Sequence, residues 1–97
     1  MNMQALMAQA KKLQADLEKT TKEIENTSFS YENENILIEG NGKYKISKII
    51  IKNENILDDK EMLEDIIVVG INDILEKIRK EKDSKLGKYS GGLGGLF

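Results

Sequence analysis

The chain has 97 residues, with 15 basic and 17 acidic side chains and a formal net charge of −2. That length supports one small domain, and a core of this size commonly relies on oligomerisation. There is no cysteine, histidine, proline or tryptophan, which excludes a disulfide framework, thiolate metal centres, most zinc sites and the Ser-His-Asp triad.

Residues 2–26 predict a helix. Met3, Leu6, Ala10, Leu13, Leu17, Thr20 and Ile24 alternate by three and four positions, an a/d stripe over three heptads. Met7 widens its start. The rest of the chain is too short to cover such a stripe, so part of it is expected to meet a second copy. Leu6, Leu13 and Leu17 are the expected contacts. On the outer positions lie Lys12, Lys19 and Lys22, with Lys11 beside them. Lys12–Asp16, Glu18–Lys22 and Lys19–Glu23 have the i,i+4 spacing of intrahelical ion pairs. A solvated face and an anion-binding face are therefore both open on this pattern.

Residues 27–52 predict three short strands in an antiparallel meander. Phe29 and Tyr31 alternate with polar neighbours. Glu34-Asn35 offers a turn. Ile36, Ile38 and Gly40 share one face of the second strand, and Gly40-Asn41-Gly42 is a turn signal. The third strand, about 44–52, has Tyr44 and Ile46 in one parity and Ile49 and Ile51 in the other. A β-bulge near Ser47-Lys48 would bring all four to one face.

A second helix is expected from Asp58, with Asp58 and Glu61 at capping-box spacing and Leu57–Met62 as a staple. Asp59, Glu61, Glu64 and Asp65 suit the positive end of its dipole. They lack the alternating loop ligands of an EF-hand, so no metal site is read there. Leu63, Ile67, Gly70, Ile74 and Ile78 form one apolar face, widened by Ile66, Val69, Ile71 and Leu75. A helix so apolar is covered on two sides, one by the sheet and one by a partner chain. Ile66, Val69 and Gly70 are the expected contacts on the partner side.

From residue 76 onward the chain carries 6 basic and 3 acidic groups, against 1 and 7 over residues 53–75. Lys77, Arg79, Lys80, Lys82, Lys85 and Lys88 form this basic end, and only Glu76, Glu81 and Asp83 oppose them. The helix is expected to stop near Gly87. A domain over 1–89 and a flexible glycine-rich tail over 90–97 follow, since four of the last eight residues are glycine. Fourteen of the 15 cations are lysine. Lysine meets phosphate as a point charge and is less suited than arginine to bidentate reading of guanine. Binding to DNA, where it occurs, should be to backbone with weak sequence preference. The longest apolar run is far short of the ~20 residues of a membrane span. The N-terminus lacks a secretory pattern, so a cytoplasmic location is expected. No enzyme, cofactor or metal is read from these residues.

Asp58-Asp-Lys-Glu-Met-Leu-Glu-Asp65, followed by an apolar stretch and Asn72-Asp73, resembles the second-helix signature of the YbaB/EbfC family. The heptad-like first helix, the strand pair carrying Asn41-Gly42, the apolar pair Ile49 and Ile51, and the tail Gly91-Gly-Leu-Gly-Gly-Leu-Phe97 resemble it in the same order. The resemblance covers nearly the whole chain. It implies an α+β fold, α-β-β-β-α, in a bacterial homodimer that binds double-stranded DNA in the nucleoid, with paired first helices projecting like tweezers. By region, it implies DNA contacts at Lys11, Lys12, Lys19, Lys22, Lys77, Arg79, Lys80 and Lys82. Lys77 and Arg79 stand where the family often has two arginines, which weakens the expected sequence preference further. On the residues alone a second class stays open: a non-enzymatic adaptor whose stripe and tail recruit a DNA repair or recombination protein. RNA as the nucleic acid is a further alternative.

Overall fold

The computed structural model describes residues 2–93. Helix α1 spans Met3–Glu25, strands β1, β2 and β3 span Ser28–Glu32, Ile36–Asn41 and Lys45–Ile51, and helix α2 spans Lys60–Leu93. The expected α+β order, α-β-β-β-α, is the observed one. A short 3-10 turn over Glu54–Asp58 links β3 to α2.

Helix α1 begins at an asparagine cap. Asn2 has an extended backbone, and its side chain accepts from Gln4 N at 2.9 Å, satisfying one of the free N–H groups of the first turn. At about 1.5 Å per residue its 23 residues reach about 35 Å. The molecule measures 69 × 21 × 15 Å and has a radius of gyration of 19.3 Å. A compact chain of this size would have a radius near 13 Å. The excess is an arm in which α1 and the C-terminal half of α2 lie together beyond the sheet.

The three strands pair antiparallel in the order β1-β2-β3. Asn33 shapes the first connection, its Oδ1 accepting from Asn35 N and Ile36 N at 2.8 and 2.9 Å. Asn35 is buried. Its carbonyl accepts from Lys52 N and Asn53 N, and its Oδ1 from Asn53 Nδ2 at 3.1 Å. The β2–β3 turn lies one residue later than its glycines imply, over Asn41–Tyr44, with Tyr44 N donating to Asn41 O at 3.1 Å. Glu39 faces Lys48 while Gly40 faces Ile46, so Ser47 is the extra residue of a bulge. Its hydroxyl donates to Glu39 O at 3.2 Å. This is the expected bulge. It puts Ile46, Ile49 and Ile51 on the face of Ile36 and Ile38, since directly paired residues share a face.

The core lies where α2 crosses the sheet. Ile36 and Ile38 of β2 meet Ile74 and Ile78 of α2, all four fully buried, with Phe29, Tyr31, Ile46, Ile51, Leu63, Ile66, Ile67 and Ile71 around them. Burying one such isoleucine contributes about 1.5–3 kcal/mol. Helix α2 rests on β1 and β2. One helix does not fully cover three strands: on the inner face of β3, Ile46 and Ile51 are partly buried against the core, whereas Ile49, directly opposite the fully buried Ile38, is 43% exposed.

Three local expectations change. Helix α2 starts after Asp59 rather than at Asp58. The Asp59 carboxylate accepts from Met62 N at 3.1 Å, while Asp58 closes the 3-10 turn. Leu57 and Met62 are both exposed, so no buried staple forms there; Ile56 turns inward instead. The helix also runs past Gly87, its expected stop, to Leu93. Glycine costs about 1 kcal/mol in a helix without forbidding it, and α1 packs alongside α2. Tyr89, the last residue of the expected domain, is buried. The last four tail positions, 94–97, lie outside the described residues.

Candidate nucleic-acid interface

The eight expected cations separate into two groups. Lys11, Lys12, Lys19 and Lys22 are exposed along α1, and none makes an ion pair among the described residues. Their i,i+4 acids Asp16, Glu18 and Glu23 are present on the helix, yet the pairs stay open.

On α2 the reverse holds. Arg79 donates to Glu76 at 2.6 Å and to Asp83 at 3.3 Å. Lys80 lies 3.8 Å from the same Glu76 carboxylate, and Lys85 3.8 Å from Glu81. The Arg79 hydrogen bond holds the Glu76 carboxyl below the usual range and raises Arg79 in return. Lys77 is a tether: its Nζ sits 2.7 Å from Asp73 Oδ2 and donates to the Ser30 carbonyl of β1, also at 2.7 Å. Asp73 Oδ2 is shielded from solvent and has no aligned hydrogen bond, so its contact with Lys77 is ionic rather than directional. Lys82 lies over the Tyr44 ring, 4.3 Å from its centroid. The Lys88 side chain lies outside the described ones. Four cations of the basic end, Lys77, Arg79, Lys80 and Lys85, are therefore paired with a ladder of acids on their own helix, while Lys82 has no ion pair among the described residues.

Sequence reasoning passed over Lys43, Lys45 and Lys48. All three are exposed on the β2–β3 hairpin and its outgoing strand, without an ion pair among the described residues. Lysines flanking an Asn-Gly turn were the available signal. They are spaced by structure rather than by helical period, so no helical periodicity points to them.

The expected subunit contacts also divide. Leu6 and Leu13 are 48% and 42% exposed and Leu17 is partly buried; with Ala10, Gln9 and Gln14 they line a shallow groove on α1. Val69 is exposed, whereas Ile66 packs against the chain's own core. Gly70 is corrected. It is buried against its own sheet, where an added Cβ would lie 2.6 Å from Ile38 Cδ1 and 2.8 Å from Tyr31 Cδ2. Its small size serves helix-on-sheet packing within one chain. Ile49 on β3 and Val68 on α2 were not among the expected contacts, and both are exposed. No helix among the described residues is long and apolar enough to cross a membrane.

Several known proteins resemble this chain along nearly its whole length. Over 98% of its length the chain is 42% identical to a nucleoid-associated protein of Ruminiclostridium cellulolyticum, covering 85% of that protein. It is 36% identical to a nucleoid-associated protein of Ligilactobacillus salivarius, covering 99% of this chain and 95% of that one. A third nucleoid-associated protein, from Hahella chejuensis, is 34% identical over 96% of this chain and 88% of its own. The model of the YbaB/EbfC DNA-binding family matches residues 1–93, and the chain belongs to that family.

Proposed function

We propose that this protein binds double-stranded DNA without catalysis, as a homodimer on the bacterial nucleoid in the cytoplasm, and so organises the nucleoid and influences gene expression. Binding is to backbone phosphates with weak sequence preference. The observation that carries this reading is the row Lys11, Lys12, Lys19 and Lys22, exposed on a projecting arm and without ion partners among the described residues, in a chain of a DNA-binding family. Cations already neutralised by neighbouring acids have less to offer a phosphate, because their counter-charge must first be displaced. The α1 row leads and the α2 ladder follows.

The uncovered apolar surface supports a second copy. Ile49 on the inner face of β3 and the α1 stripe of Leu6 and Leu13 are apolar and open. A sheet face of this kind is stable when another layer lies on it, and a two-fold partner supplies one. Pairing two arms makes two weak contacts one stronger contact by effective concentration.

Fluorescence anisotropy of a labelled duplex, at salt between about 50 and 200 mM, tests this directly. Affinity should fall steeply with salt, with a log–log slope approaching about −7 if all eight α1 lysines of the pair engage. A folded dimer that leaves the duplex unbound at the lowest salt rejects DNA as the ligand and favours the protein adaptor. Stronger binding to duplex RNA than to DNA rejects the choice of nucleic acid.

A further inference from the structure

The β2–β3 hairpin reaches the point where α1 meets the sheet. Gly42 lies so close to the last turn of α1 that an added Cβ would overlap the Ile24 carbonyl. The turn is braced from within: Lys43 N donates to Asn41 Oδ1 at 2.9 Å, and Tyr44 N to Asn41 O at 3.1 Å. Its end is unusual. Tyr44 has φ 61°, a left-handed conformation in which glycine carries no steric penalty and tyrosine does. Burial does not compensate, since Tyr44 is 46% exposed. A strained, exposed aromatic residue is a reason to look for function. Its ring carries Lys82 at 4.3 Å, within the range of a cation–π contact.

Lys43 and Lys45 flank this tyrosine, both exposed and without ion pairs among the described residues. The nearby acids are largely committed, since Glu76 and Asp83 both bind Arg79. Glu25 at the end of α1 and Glu39 on β2 are the nearby acids without an ion pair among the described residues. From Lys11 to the turn that meets the hairpin is 13 residues, about 20 Å of helix. The hairpin thus carries the row of unpaired cations from the arm to its base, a span of about six nucleotides at 3.4 Å each.

We propose that the β2–β3 hairpin tip is a separate contact to the DNA backbone, in which Lys43, Lys45 and Lys82 meet phosphates and Tyr44 is the positioning residue that holds Lys82 among them. This rests on the DNA-binding reading above. The tip is held by the turn and by α1, so little ordering entropy opposes the contact.

The test uses the full chain, a labelled duplex and four proteins: the parent, the double variant Lys43→Gln/Lys45→Gln, Tyr44→Gly and Tyr44→Phe. The double variant should bind about tenfold more weakly near 100 mM salt, and its salt slope should be shallower by about 2 per protomer. Tyr44→Gly suits the backbone angle, so its thermal midpoint should hold or rise while its affinity falls severalfold. Tyr44→Phe keeps the ring and should bind like the parent. Parental affinity and slope in the double variant overturn the site, and parental affinity in Tyr44→Gly overturns the role of the ring. Failure of the parent itself to bind removes the DNA reading instead, and is seen separately in the same experiment.

Discussion

The body and the arm of this molecule are held by different forces. In the body, Ile24, Ile36, Ile38, Ile74 and Ile78 are buried to within 1%, and Lys77 beside them is tied to Asp73 and to the Ser30 carbonyl. On the arm, Leu6 and Leu13 stay nearly half exposed and the α1 lysines stay unpaired. One chain of this length can fill one small core, and what remains of a long helix must find cover elsewhere. The arm is therefore secondary structure without a complete tertiary setting. Such a region suits binding, because its charges and apolar groups are not already engaged.

The sharpest way to test this contrast is truncation on each side of it. Ile74→Ala should destabilise the fold by about 2–5 kcal/mol, as expected for a fully buried isoleucine. Leu13→Ala should change stability by less than about 1 kcal/mol in dilute protein. Urea unfolding at two protein concentrations checks both. A loss in Leu13→Ala that grows with concentration would give the arm a partner chain as its cover. Equal losses in the two variants at all concentrations would break the contrast.

Charge reversal probes the arm against the ladder. Lys11, Lys12, Lys19 and Lys22 changed together to Glu should weaken duplex binding by about a hundredfold or more near 100 mM salt. Lys77, Lys80 and Lys82 changed together to Glu should weaken it less, by about tenfold, since Lys77 and Lys80 already face acids. Circular dichroism on each variant checks that the fold persists. The opposite ranking would mean that the ladder opens on binding and supplies the main contact.

The smallest effect concerns Glu76. Glu76→Gln should release Arg79 and Lys80 and strengthen duplex binding about two- to fivefold. The hydrogen bond from Arg79 lowers the folded-state pKa of Glu76. Its contribution to stability is thus complete above the ordinary carboxylate pKa and is lost as pH falls through the lowered value. Thermal midpoints followed from about pH 7 to pH 3 should show a shallower acid limb in Glu76→Gln than in the parent. Identical limbs would mean that the Glu76–Arg79 contact has no bearing on the folded state.

Periodicity and turn chemistry, read along the chain, were sufficient for the order of elements. The stripe from Met3 to Ile24 is a helix, and Ile36, Ile38, Ile74 and Ile78 form the core. The parity break between Ile46 and Ile49 predicts a bulge, and the ladder has one at Ser47. These features are local: each follows from which side chains lie on one face of a regular backbone. Residues 58–73 were specific enough to carry the family.

Other features depended on what lies across space. Capping-box spacing with Glu61 favours Asp58 in sequence, but the 3-10 turn takes up Asp58 and leaves Asp59 to cap the helix. Gly70 is a gap in an apolar face until Tyr31 and Ile38 fill it. The i,i+4 acids of the α1 lysines stay open while Lys77, Arg79, Lys80 and Lys85 on α2 close theirs, and Lys77 also reaches across to the Ser30 carbonyl of β1. The exposure of Ile49 on β3 depends on α2 crossing β1 and β2, and the Lys82–Tyr44 contact on the hairpin meeting a distant helix. Local pattern determined which elements this chain forms, and tertiary packing decided which of its charges and apolar groups remain free to bind.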